Sequence, residues 1–242
     1  MKILLASKEF INNDISHNLK TIISSIDAYS SKVDLIVFGE SFLQGFDSLK
    51  FNYELDKDIA ISQSSFLIKE IKKACKRNNT ALSFGYFEKD EGYIYDSQMT
   101  ISKTGEIVNN YRRISKGWKE KYASKEFKEG ESFIKFNLEG KSFAICLCGD
   151  GWDDKNVKSL NALNVDILLW PLYIDFDANK WNKSIKYEYQ EQAKRMAKNV
   201  LLVNSLNYER DSLARGGSIY FHYGKIEKEV PAGKEGILIV DI

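Results

Sequence analysis

The chain has 242 residues, 43% of them hydrophobic and 29% charged, a balance that excludes disordered and fibrous classes and leaves enough apolar side chain for a sizeable core. Its 35 Lys and Arg against 34 Asp and Glu leave a net charge of +1, which gives no global field to attract nucleic acid or an anionic membrane surface. Three cysteines make a poor disulfide framework, and two histidines far apart in sequence make no local metal motif. No nucleic-acid or membrane partner is therefore expected. The apolar stretch after Met1 gives way to Ser7-Lys8-Glu9, too soon for a signal-peptide core, and no apolar run approaches the roughly 18 residues needed to span a bilayer. A location in the reducing cytoplasm follows as the expectation.

In chain order, residues 3–6 read as a first buried strand. Asp14 is placed to cap a helix whose Ile15, Leu19, Ile22 and Ile26 recur at helical spacing. Residues 33–38 form a short apolar run typical of a strand covered on both faces, and it ends abruptly in Gly39-Glu40. Helical spacing returns over 58–78, with Leu67, Ile71, Ala74 and Cys75 on one stripe, and 81–86 is strand-like. Residues 93–101 and 106–111 pair as a hairpin around Lys103-Thr104-Gly105. The stretch 115–131 is too long and charged for a strand and reads as a surface loop with a short helix. A strand over 143–147, a helix through Val157, Leu160 and Leu163, a strand over 165–170 and a long helix over 181–199 follow. Strands over 200–205, 218–222 and 237–242 complete the chain. This alternation, with hairpins, predicts an α/β fold of mixed sheets with helices outside. With no linker, repeat or low-complexity tract, residues 1–242 form one expected domain.

Two polar residues stand where buried strands end, which is where sites form in α/β sheets. Glu40 there is either a general base or an exposed loop glutamate. Cys148 lies beside glycines in Phe143-Ala144-Ile145-Cys146-Leu147-Cys148-Gly149-Asp150-Gly151-Trp152. Those glycines let a substrate approach and let backbone N–H groups meet an oxyanion, yet a small buried hydrophobe fits the position equally well. Cys146 and Cys75 read as buried hydrophobes. Neither His17 nor His222 stands beside a turn resembling a catalytic loop, so a thiolate at Cys148 needs another base. A carboxylate with a nearby cation is the alternative. The basic run Tyr111 to Glu120 follows a strand and reads by default as a solvated loop.

Three blocks recur in a fixed order: Asp34-Leu35-Ile36-Val37-Phe38-Gly39-Glu40 with Gly45-Phe46, Asn110-Tyr111-Arg112-Arg113, and Leu147-Cys148-Gly149-Asp150-Gly151-Trp152. Asp166 to Pro171, Ala197-Lys198-Asn199 and Gly216-Gly217-Ser218 extend the pattern. In this order the chain resembles the nitrilase superfamily of carbon–nitrogen hydrolases. The resemblance implies a four-layer α-β-β-α sandwich of two mixed sheets with outer helices, a Glu–Lys–Cys triad, and no metal or organic cofactor. It implies cleavage of a small linear amide or N-carbamoyl compound through a thioester, and a homodimer. Nitrile hydrolysis uses the same residues, and a catalytically silent binding protein is the other class; a thiol redox protein is the weakest, since no Cys-x-x-Cys pair exists.

By that resemblance Glu40 is the base, Cys148 the nucleophile and Gly149 a backbone oxyanion donor. Three departures stand out. Gly39 occupies the usual proline position. The lysine position holds Arg113, which cannot shuttle a proton, so Lys116 on a shifted loop is the expected lysine, with Arg113 itself and Lys119 next. Glu120 is expected to orient the lysine and substrate. Independently of the resemblance, Trp118, Trp152, Trp170 and Tyr173 lie near the motif ends and read either as an aromatic pocket wall or as core packing. Lys198 stands where the family often has glutamate.

Overall fold

The computed structural model describes residues 1–209 and 214–242. Its elements in chain order are β1 (Lys2–Ser7), α1 (Ile15–Tyr29), β2 (Leu35–Phe38), the single turn α2 (Tyr53–Asp56), α3 (Phe66–Asn78), β3 (Ala81–Asp90), β4 (Tyr93–Ile101) and β5 (Ile107–Arg112). Then come β6 (Phe136–Leu138), β7 (Lys141–Ile145), α4 (Asp154–Ala162), β8 (Ile167–Leu172), the short α5 (Ala178–Lys180), α6 (Lys186–Met196), β9 (Asn199–Asn204), β10 (Ser218–His222), β11 (Lys225–Val230) and β12 (Gly236–Asp241).

The strands form two six-stranded sheets, in the orders β12-β1-β2-β3-β4-β5 and β11-β10-β9-β8-β7-β6. Both are mixed. β1, β2 and β3 run parallel in one, β7, β8 and β9 in the other, and antiparallel strands flank each set. Alternation along the strands sorts their apolar side chains into layers. On β1, Ile3 and Leu5 meet Ile145, Leu147, Leu169 and Leu201 between the sheets, while Leu4 and Ala6 face outward onto Ile22, Ile26, Ile71 and Ala74 of α1 and α3. On the second sheet, Ala144, Cys146 and Trp170 face outward onto Val157 and Leu160 of α4 and Ala193 and Met196 of α6. The result is the helix–sheet–sheet–helix sandwich. No helix among the described residues is long and apolar enough to cross a membrane.

The elements differ from the sequence reading in ways with local causes. The helix expected from 58 starts only at Phe66, because Ser65 accepts a hydrogen bond from the Ile68 N–H and caps it there. The helix expected over 181–199 opens with a π turn at Trp181–Ile185 and ends at Met196, with Ala197 extended. Asp14 does cap α1, accepting from the His17 N–H at 2.9 Å. β6 and β11 are additional strands at one sheet's two edges, too short or too charged for an apolar pattern to show.

Candidate active site

β2, β5 and β7 end at one place, and each delivers one residue just past its last strand position. Glu40 follows β2 and is fully buried. Its Oε1 accepts from Arg113 Nη1 at 2.6 Å, and its Oε2 accepts from the Tyr173 N–H at 2.8 Å. Cys148 opens the 3₁₀ turn after β7, and its thiol faces the Tyr173 carbonyl at 3.8 Å and the Glu40 carboxylate. Arg113 is 4% exposed, so this is a buried carboxylate–guanidinium pair beside a thiol.

Close backbone packing sets these positions. At Gly39 a Cβ would meet Ser205 Oγ and come within 2.8 Å of the Leu172 carbonyl, which accounts for glycine where the family pattern has proline. Ser205 in turn donates to the Glu40 carbonyl at 3.3 Å. Cys148 has φ +45°, a left-handed conformation that a non-glycine residue adopts only when its surroundings hold it there. Two contacts hold it. Trp170 Nε1 donates to the Cys148 carbonyl at 3.0 Å, and the Asp150 carboxylate anchors the turn by accepting from the Leu147 N–H at 3.2 Å. Asp150 also accepts from Tyr111 Oη at 2.6 Å and from the Ser115 N–H at 2.7 Å, tying the turn after β7 to the loop after β5.

Burial and the negative charge of Glu40 push the Cys148 thiol well above its usual range, with Arg113 pulling the other way. The resting group is thus a thiol whose proton has a carboxylate beside it. Burial works against charge on Arg113, but the Glu40 carboxylate beside it is the first of the acidic neighbours that more than offset it, and the guanidinium stays protonated.

The structure brings Glu40, Arg113, Cys148, Gly149 and Tyr173 together. Lys116 is not among them: it is exposed on the 3₁₀ turn Lys116–Trp118. The shifted loop expected for it does not occur. The Arg113 N–H still donates to the Asp96 carbonyl at 2.8 Å, so β-type register continues through Arg113 and alternation turns its side chain toward Glu40, opposite to Arg112. Arg113 Nη2 then lies 2.6 Å from where a Cβ on Gly149 would sit, so the guanidinium covers the turn that carries the thiol. Lys119 pairs with Glu129 at 2.6 Å, and Glu120 is exposed on an open cleft of about 370 Å³ that Phe46, Trp118 and Tyr122 also line. Tyr173 stacks on Phe46, with centroids 4.6 Å apart, and its hydroxyl donates to Asp47 at 2.7 Å. Trp152 is 45% exposed and meets Tyr189 edge-on. Lys198 lies over the Tyr223 ring. Cys75 and Cys146 are buried in the outer apolar layers, and His222 bonds Asn199 and Tyr220 instead.

Sequence reasoning missed Asp96. It sits in the middle of β4, fully within the protein, accepts from Ser41 Oγ at 3.0 Å, and has its other oxygen 3.7 Å from Arg113 Nη1. The one signal that could have singled it out is an aspartate inside the strand pattern Tyr93 to Ile101.

The profile of the family described as Carbon-nitrogen hydrolase matches residues 5–242. The chain is 26% identical over 170 residues to a cyanide hydratase from Botryotinia fuckeliana (strain T4), covering 64% of this chain and 44% of that protein. It therefore spans less than half the length of that relative. Among solved structures, a glutamine-dependent NAD+ synthetase from Acinetobacter baumannii superposes with a TM-score of 0.82 at 22% identity, over 98% of this chain and 44% of that one. An amidase from Nesterenkonia sp. AN1, in a variant carrying acrylamide added at its active site cysteine, superposes with a TM-score of 0.76 at 16% identity, over 100% of this chain and 93% of that one. These superpositions share the two-sheet sandwich.

Proposed function

The chain belongs to the carbon–nitrogen hydrolase family, and from that membership we propose that it cleaves the C–N bond of a small linear amide or N-carbamoyl compound through a thioester on Cys148. The observation that carries this reading is the Glu40 carboxylate, held between Arg113 and the Tyr173 N–H and facing the Cys148 thiol.

Glu40 takes the thiol proton as the sulfur attacks the carbonyl carbon. The oxyanion that forms is stabilised by the Gly149 N–H and by Arg113, which lies over that turn. When the tetrahedral adduct collapses, the nitrogen leaves as ammonia or an amine, taking the proton from Glu40. Water then attacks the thioester carbon and passes a proton to the same carboxylate, and the acid departs as that proton returns to sulfur. Arg113 supplies fixed positive charge and no proton, so all proton traffic runs through Glu40. The raised thiol supports a mechanism in which the proton moves during attack rather than one that starts from a standing thiolate.

Ammonia release from a panel of small aliphatic amides, N-carbamoyl compounds, glutamine and the corresponding nitriles tests the proposal. Glutamine is included because of the likeness to a glutamine-dependent synthetase. Turnover of an amide or N-carbamoyl compound, abolished in Cys148→Ala and Glu40→Gln, is expected. Turnover confined to nitriles would replace the substrate class, and no turnover across the panel would favour the silent binding protein.

A further inference from the structure

Among the described residues, Asp96 is a buried acid at this site to which the proposed chemistry gives no task. Its carboxyl stands on β4, opposite the uncharged Phe87 of β3 and beside Gln98 on its own face of the sheet. From β2 the Glu40 carboxylate adjoins it, from the following residue Ser41 donates to Oδ1 at 3.0 Å, and from the end of β5 Arg113 approaches. Cys148 and Asp150 interact with Arg113 rather than with this group. The neighbouring carboxylate Glu88 belongs to the opposite face, where it binds Arg112, Ser97 and Asn110.

Two facts decide the state of the second oxygen, Oδ2. Among the described residues no N–H or O–H donates to it; Arg113 Nη1 is 3.7 Å away and spends its short contact, 2.6 Å, on Glu40. A buried anionic oxygen with no donor is costly. Asp150 is held by its own donors Tyr111, Ser115 and Leu147, which leaves the adjoining Glu40 and Asp96 sharing one guanidinium, an arrangement that favours one of the two carboxyls keeping its proton. Glu40, with two donors, is the carboxylate. Burial and the adjoining Glu40 charge hold the Asp96 carboxyl well above the ordinary carboxylate range, in agreement with this assignment.

We propose that Asp96 is a positioning residue, a neutral carboxylic acid whose Oδ2–H donates to Glu40 and, together with Arg113 and the Tyr173 N–H, holds that base ionised and aimed at Cys148. The proposal rests on the reading of Glu40 as the base for the thiol. In place of a lysine that could bear a movable proton, the site then carries a fixed cation and a protonated acid.

The test is the pH profile of Cys148 alkylation by iodoacetamide, followed by peptide mass spectrometry, in the wild type and in Glu40→Gln, Asp96→Asn and Asp96→Ala. It needs no substrate. If Glu40 is the base, Glu40→Gln abolishes the acid limb of the profile; a limb that survives overturns the base assignment, whatever Asp96 does. Given that limb, a neutral donor at 96 predicts that Asp96→Asn, whose amide also donates, leaves it in place. Asp96→Ala, which removes the donor, moves it up by about one pH unit. An ionised Asp96 predicts the opposite sign, with both variants moving the limb down, and a mere space-filling role predicts no movement in either. Each of those results overturns the proposal. Should Asp96→Ala fail to fold, infrared difference spectra of wild type against Asp96→Asn decide: a protonated-carboxyl C=O band at neutral pH that the substitution removes supports the proposal, and its absence from the wild type overturns it.

Discussion

Arg113 lies at the Glu40 carboxylate, where the sequence alone directs attention to a later lysine. Its identity excludes proton shuttling, but only the backbone hydrogen bond to Asp96 reveals that the strand register runs on through it. Lys116 lies exposed instead. Glu40 and Cys148 were legible because each follows an apolar strand run directly, whereas Asp96 was not, since its partners come from β2 and β5, distant in sequence. The expected outcome of substitution is asymmetric. Arg113→Ala should lower the rate of ammonia release by about 10²–10³, the usual loss for one oxyanion donor, while Lys116→Ala should match the wild type. Steady-state kinetics on any amide that is turned over checks both, and a large loss in Lys116→Ala would return the cation's role to that lysine.

Among the elements, the strands were the clearest part of the sequence, because β1, β2, β7, β8 and β9 each bury apolar side chains on both faces. The edge strand β11, Lys225–Val230, was invisible for the complementary reason: its charged residues protect an edge and carry no apolar signal. The link between elements that matters most for the site is Asp150, which joins the loop after β5 to the turn after β7. Removing its carboxylate orphans the buried Tyr111 hydroxyl and the Leu147 and Ser115 N–H groups. Asp150→Ala should therefore cost about 1–3 kcal/mol for each group left unpaired and slow Cys148 alkylation. Urea unfolding and the alkylation rate measure the two effects, and an unchanged midpoint would show that the tie is dispensable.

For the whole molecule, mixed sheets with outer helices followed from the alternation of elements and the four-layer sandwich from the family resemblance; the burial of Cys75 and Cys146 was legible, that of the Tyr86 and Tyr111 phenols was not. Burial pushes Cys75 up to about 12, and Cys146, Tyr86 and Tyr111 likewise lie above their usual ranges. In each case the unfolded chain gives up its proton at lower pH than the folded one. Their stabilising contribution is therefore complete below the unfolded thiol range and is lost as pH rises toward the folded value, for Cys75 between about 8.5 and 12. Thermal unfolding midpoints should fall across that window, and the fall should be shallower in Cys75→Ala even though that variant is less stable at neutral pH. Identical slopes would remove Cys75 from the account.

In the proposed mechanism Cys148, served by Glu40 and Arg113, carries the acyl group. This is tested most directly by acid-quenching the enzyme during turnover of an amide and measuring intact and peptide masses. An acyl mass added at Cys148 is expected, absent in Cys148→Ala along with ammonia release. Undiminished ammonia release in Cys148→Ala would contradict it.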